Sequence, residues 1–223
     1  MYIGEPVISL RRADKVRTSV IHRGATHKAK AEATKGMNEV FESLGPSNVA
    51  LLAGRDVLLH LIPYDKQLTD LPEFASRKAQ RTPDGKAYDL MRSTGPIPSG
   101  QNIVLAIGEE DVAYMRERRP HLLQGFAVSH DSGLVVAQFA LTSAQKNALQ
   151  QAFQDRHRTL ADWVGANAGS SPDEYFASST AAFFGHSRSV GAPDPARFTP
   201  AWLAKNDPTM YALLQDVYQR ARK

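Results

Sequence analysis

Residues 126–149 read FAVSHDSGLVVAQFALTSAQKNAL. From Leu122 to Leu141 this stretch is strongly apolar, the pattern of a helix buried nearly all round. In its middle stands Ser129-His130-Asp131-Ser132, followed by Gly133 and Leu134. Polar side chains inside an apolar helix need partners or a purpose. Thr142 with Gln145 three residues on is a capping-box pattern and starts the next helix. The core stripe of that helix is Leu149, Ala152, Phe153, Leu160 and Trp163.

Toward the C-terminus, Gly165 to Ser170 reads as a break. Ser171-Pro172-Asp173-Glu174 is then a strong helix start, with a cap, a proline at the first position and acids in the first turn. Asp207-Pro208 opens a last helix with Met210, Leu213, Leu214, Val217 and Tyr218 facing inward. Toward the N-terminus, the β-branched run Val16 to His22 predicts a short strand, and Thr26 caps a helix reaching about Leu44, where Gly45-Pro46 ends it. Asp56 to Ile62 (DVLLHLI) reads as a buried strand, and Asn102 to Ile107 as another. Between them, residues 64–100 carry Pro72, Pro83, Gly85, Gly95, Pro96 and Pro98, and read as a long irregular loop covering a cleft. The expected class is α+β: a small N-terminal sheet with helices, then an all-helical C-terminal half. One domain is expected over residues 1–223, with 1–15 as an N-terminal extension.

Composition narrows the function. Hydrophobic residues make up 42% of the 223 residues, enough for one substantial core. No apolar run reaches the roughly 18 residues of a membrane span. Met1 to Arg12 lacks a signal-peptide core, so the expectation is a cytoplasmic chain or one exported without a cleaved leader. The absence of cysteine excludes disulfides, thiolate metal sites and a cysteine nucleophile. The net charge of +4 is concentrated early, in Arg11, Arg12, Lys15, Arg17, Arg23, Lys28, Lys30 and Lys35. No aromatic residue is interleaved there for base stacking, which argues for a solvated face over a nucleic-acid partner.

The chemistry-bearing pattern is the one around His130. Zinc peptidases set two histidines four apart on one helix, so that both imidazoles face one metal, with a glutamate after the first as general base. Here Asp131 takes the base position and Leu134 the second-ligand position, where it can coordinate nothing. A lone buried histidine is otherwise a hydrogen-bonded core residue, and Glu174 could be no more than the capping-box partner of Ser171. No nucleophile elbow and no phosphate-cradling loop is present.

Glu174-Tyr175-Phe176-Ala177 followed by Ala181-Ala182-Phe183-Phe184 resembles the EYFAE…YF helix of the anthrax-lethal-factor-like zinc metallopeptidase domains. Residues 68–74 (LTDLPEF) and 82–89 (TPDGKAYD) resemble the segments before the active helix in bacterial members, and residues 203–218 (LAKNDPTMYALLQDVY) their terminal helix. The resemblance implies a zincin-like fold from about Val16 onward. It places His130 at the first zinc-ligand position, Glu174 at the third, and Asp131 at the base. It also implies a cleft with Trp163, Tyr175 and Ser178. Ser178 replaces a supporting glutamate of the family, and no tyrosine lies between Leu160 and Asp173 to stabilise an oxyanion.

Three functions follow. The first is a degenerate peptidase with no cofactor, binding a protein or peptide as a toxin, effector or regulatory domain. The second is a divergent zinc hydrolase using His130, Glu174 and a further ligand such as His186. The third is a basic module for nucleic acid or an acidic partner. Asp131, about 100° round the helix from His130, is a poor substitute ligand, and His121 falls on the opposite helix face. His22, His27, His60 and His157 have no spacing relation to the motif and read as surface or strand histidines.

Overall fold

The structure is a computed structural model that describes residues 15–82, 85–113, 126–159, 161–186, 197 and 199–219. Strand β1 (Arg17–Ile21) is followed by helices α1 (His27–Phe41) and α2 (Pro46–Leu51), then strand β2 (Asp56–Ile62). Strands β3 (Ser93–Ser99) and β4 (Asn102–Gly108) and the short helix α3 (Glu109–Val112) complete the front half. Helices α4 (Phe126–Val135), α5 (Ser143–Thr159), α6 (Pro172–Phe183), α7 (Pro200–Asn206) and α8 (Pro208–Tyr218) form the back half. The expected α+β class, a small sheet followed by helices, is what the structure has.

The sheet order is β1-β2-β4-β3, with β1, β2 and β4 parallel and β3 antiparallel to β4. A strand with no polar alternation must be covered on both faces, and β2 is. Val57, Leu59 and Leu61, with Ile103, Leu105 and Ile107 of β4, join the main core under the helices. Ile62, Val104 and Ala106 form a second, smaller core with Leu68, Leu71 and Phe74.

The 64–100 stretch is not one irregular loop. It holds three short 3-10 turns and then β3, which pairs with β4 from Ser93↔Ile107 to Ser99↔Asn102. Pro96 and Pro98 hid the strand. Proline lacks the donor a central strand needs, but an edge strand tolerates it, and the pairing shifts register between Thr94 and Ile97. Arg92 pins the base of this stretch, donating to Glu110 at 2.6 Å and to the carbonyls of Ile62 and Pro63.

Thr26 caps α1 as expected, its hydroxyl accepting from the Ala29 amide at 3.2 Å. The helix stops at Phe41, however, and Pro46 opens α2 instead of merely ending α1. The helix read from Leu122 onward is helical over its described part. Its hydrogen bonding widens at Val136, where five residues, Val136–Ala140, form a π-helical turn. That wide turn leaves carbonyls to satisfy, and the buried Asn48 amide donates to the Ala140 carbonyl and to Gln145, both at 2.7 Å. Thr142 and Gln145 exchange the two bonds of a capping box, at 3.0 and 3.3 Å.

Candidate functional site

Helices α4 and α6 meet at Gly133. A Cβ there would lie 2.9 Å from the Cα of Ala177 and 3.0 Å from Thr180 Cβ, so only glycine permits this approach. The same crossing sets His130, three residues earlier, against Glu174, three residues before Ala177. His130 Nε2 lies 3.1 Å from Glu174 Oε2, and His130 Nδ1 lies 2.9 Å from Asp131 Oδ1. Phe126, one turn earlier, stacks on the imidazole at 5.4 Å. His130 and Asp131 are 9% and 8% exposed and the Glu174 side chain 29%, so the imidazole is held between one buried and one partly exposed carboxylate.

The electrostatics follow from that geometry. Burial alone would lower the His130 pKa; the hydrogen bonds and charges of Asp131 and Glu174 outweigh it and raise the pKa to about 9. Burial likewise pushes the Asp131 carboxyl up, opposed by its bond to His130. The direction that governs near neutrality is the histidine's, because two acceptors bracket a single donor pair. A pKa raised in this way favours the imidazolium near neutrality, the form in which both N–H groups donate.

Glu174 does not close a capping box. The Ser171 hydroxyl accepts from the Glu174 amide at 3.2 Å, but the Glu174 carboxylate goes to His130. Leu134 lies one turn beyond His130 and is buried, its Cδ1 3.9 Å from where a Cβ on Gly95 of the edge strand would be. Ser178 is also buried, one turn beyond Glu174. Tyr175 and Trp163 do not share this side. Tyr175 is fully buried, donates to Asp207 Oδ2 at 2.5 Å, and meets the Trp163 ring edge-on at 5.2 Å. Adjacent helical residues point about 100° apart, so Tyr175 cannot face the way Glu174 does. The pair belongs to the packing of α5 against α6, with Phe153 and His157 around Trp163.

Sequence reasoning did not find the second polar cluster beside the site. Gly185, at a φ of +76°, turns the chain at the end of α6 so that the His186 amide reaches the Ala181 carbonyl. His186 Nδ1 then shares a 2.5 Å hydrogen bond with Ser129 Oγ, and its Nε2 lies 3.3 Å from Glu39 Oε2. The glycine was the readable signal; its partners on α4 and α1 were not. His121 lies outside the described residues.

No known family matches the chain, and no curated protein matches it. Among solved structures, the PRO-PRO endopeptidase PPEP-2 from Paenibacillus alvei is similar, with 16% sequence identity and a TM-score of 0.47. The match covers 87% of this chain and 95% of that one.

The described side chains at the site bring together two candidate zinc ligands, His130 and Glu174. A histidine ligates through an unprotonated nitrogen, and both His130 nitrogens are engaged by carboxylates. A catalytic zinc takes three protein ligands and a water, and Leu134 supplies none. Among the described residues, no group of three His, Asp or Glu side chains is arranged to hold a metal. His186 folds back toward α4 but spends its ring on Ser129 and Glu39.

The tight crossing makes a prediction of its own. Gly133→Ala should gain up to about 1 kcal/mol of helix propensity, yet drive a methyl into the Ala177 backbone, at an overpacking cost of about 1–3 kcal/mol. Thermal unfolding should show a net loss of stability. A gain would mean that α4 and α6 stand further apart than described.

Proposed function

We propose that this chain is a metallopeptidase-fold protein that has lost metal-dependent hydrolysis and binds an extended peptide or protein segment instead. The observation that carries this reading is the ion pair of His130 with Asp131 and Glu174. On this reading the side chains at the ligand and base positions of a zinc peptidase are bound to one another, and Leu134 takes the place of the second ligand. To take a metal, His130 would have to give up the proton that it shares with Glu174. To act as a base, Asp131 would have to leave His130.

A binding role has a structural basis in β3. It is an edge strand, and among the described residues no strand pairs with its outer side. An added peptide strand could pair there, near the place where Leu134 approaches Gly95 of β3. Pro96 and Pro98 remove two donors, which confines such pairing to a short stretch.

The basic-module reading finds less support, because Arg17 is paired with Asp56 at 2.6 Å and Arg23 with Glu73 at 2.7 Å. No described helix is long and apolar enough to cross a membrane.

Metal analysis of the purified protein tests the proposal. After dialysis against zinc, the wild type should retain far less than one equivalent. The double variant Leu134→His with Asp131→Glu, which rebuilds the two-histidine pattern, should retain one. A full equivalent in the wild type sinks the degenerate reading. Failure of the double variant, with its fold intact, sinks the assignment of this cleft to the metallopeptidase geometry.

A further inference from the structure

The sheet's second face carries a titratable group that the site does not use. Side chains on β2 alternate, so Leu58, His60 and Ile62 share the face turned away from the helical core. His60 is 1% exposed, and neither of its ring nitrogens makes a hydrogen bond. Phe74 stands edge-on to it, with ring centroids 6.1 Å apart. Glu73 Oε2 faces His60 Nδ1 at 3.5 Å, an ion-pair distance once the ring is protonated but without a hydrogen bond, while the other oxygen of the same carboxylate accepts from Arg23 at 2.7 Å. A buried imidazole without a hydrogen bond is a cost that burial makes larger when the ring is charged, and the single carboxylate at 3.5 Å offsets it only in part.

The segment above it, Leu68–Arg77, is held together by its own turns. Leu71 donates to the Leu68 carbonyl, Phe74 to Leu71, and Arg77 to Phe74, at 3.1, 2.9 and 2.9 Å. Its hold on the sheet is chiefly apolar, through Leu68, Leu71 and Phe74. It can therefore lift as a unit without breaking these internal bonds.

We propose that His60 is an acid-sensitive latch: taking up a proton, it drives the Leu68–Arg77 cover off the sheet and bares the apolar face of Ile62, Val104 and Ala106. The charged groups that face the ring are Glu73, from the cover, and Arg23, from the turn between β1 and α1. They act in opposite senses. Burial, the largest influence, holds the His60 pKa below its ordinary 6.5, Glu73 raises it and Arg23 lowers it.

The sign is then fixed. The closed form prefers neutral His60, and the open form takes a proton with the ordinary pKa. The closed form is fully stable above pH 6.5 and loses stability as pH falls through that value, until the lowered pKa of the closed form is reached. Asp89, which ties the far end of the cover through Thr69 and the Ala79 amide, has its pKa lowered by those hydrogen bonds. It loosens only below its ordinary value of 3.8, outside the window that His60 governs.

Hydrogen exchange of the full chain, corrected for intrinsic pH dependence, tests the latch. Protection of the Leu71, Phe74 and Arg77 amides should fall severalfold between pH 7.5 and pH 5.0, with an upper limit of about 30-fold for a group of ordinary pKa 6.5. Amides of β4 should keep their protection. In His60→Leu the loss at pH 5.0 should vanish. Unchanged protection in the wild type overturns the proposal, and so does an equal loss in His60→Leu, which would move the trigger to another group. If that variant does not fold, an NMR titration of the wild-type His60 ring decides: loss of Phe74 amide protection that tracks protonation of the ring upholds the latch, and loss at a different pH overturns it.

Discussion

Asp207→Ala should destabilise the protein by about 3–5 kcal/mol, the usual cost of stripping one partner from a buried ion pair. Asp207 performs three tasks at once. Its Oδ2 accepts from Arg156 at 3.0 Å and from the Tyr175 hydroxyl at 2.5 Å, and its Oδ1 caps α8 through the Met210 amide at 3.3 Å. Both charged side chains are almost wholly buried, at 8% and 4% exposure. Arg156 lies between the rings of Trp163 and Trp202, at 5.9 and 5.8 Å, so water cannot readily replace the lost carboxylate. Burial pushes the Asp207 pKa up despite Arg156 and Tyr175. The pair is thus not a strong source of net stability, and the damage comes from leaving Arg156 and the phenol alone. Against a typical total of about 5–15 kcal/mol, the loss would be plain in urea unfolding. A cost under about 1 kcal/mol would show that the Asn206 and Asp162 carbonyls, which Arg156 also reaches, suffice to satisfy it. Asp207→Asn, which keeps the cap, should be the milder change.

The second large effect is a pH dependence centred on His130. Its folded pKa, about 9, stands above the ordinary 6.5. A raised histidine pKa means stability that is fully present below pH 6.5 and is lost as pH rises through about 9. The shift corresponds to about 3 kcal/mol over that window. Unfolding free energies of the wild type measured at pH 6, 7.5 and 9.5 should therefore decline. His130→Gln should be less stable at pH 6, because it leaves two carboxylates without their cation, but its profile should be flat by comparison. Parallel profiles for the two proteins would refute the imidazolium between two acids, and with it the main support for a metal-free cleft. The opposite signs of the His130 and His60 effects keep them separable: alkali weakens the first, acid the second.

Local chemistry was legible wherever it depended on neighbours in the chain. Thr26, Thr142, Ser171 and Asp207 could each be read as caps, because a cap is a contract among four consecutive residues. The apolar run Asp56 to Ile62 could be read as a buried strand for the same reason. β3 was not legible, since Pro96 and Pro98 forbid a central strand and the sequence does not state which strand lies at the edge. At the site, the residue identities carried half the information. His130, Asp131, Leu134 and Glu174 could be named in advance, but not whether the ends of two helices 44 positions apart would touch. Trp163 and Tyr175 were drawn into the same cleft by the family resemblance, whereas the helical turn between Glu174 and Tyr175 sends them to different sides.

What the amino-acid order determined by itself is therefore most of the longer helices and the buried strands, the α+β class, and the absence of a second histidine one turn after His130. Each of these depends on residues within a few turns of one another. Tertiary structure alone decided that His130 would spend both nitrogens on carboxylates, that His186 would bind Ser129 and Glu39, and that His60 would be sealed without a partner. Those outcomes depend on how closely α4 can approach α6 at Gly133 and on which segment covers the sheet. They are matters of packing between distant parts of the chain, on which local propensity is silent.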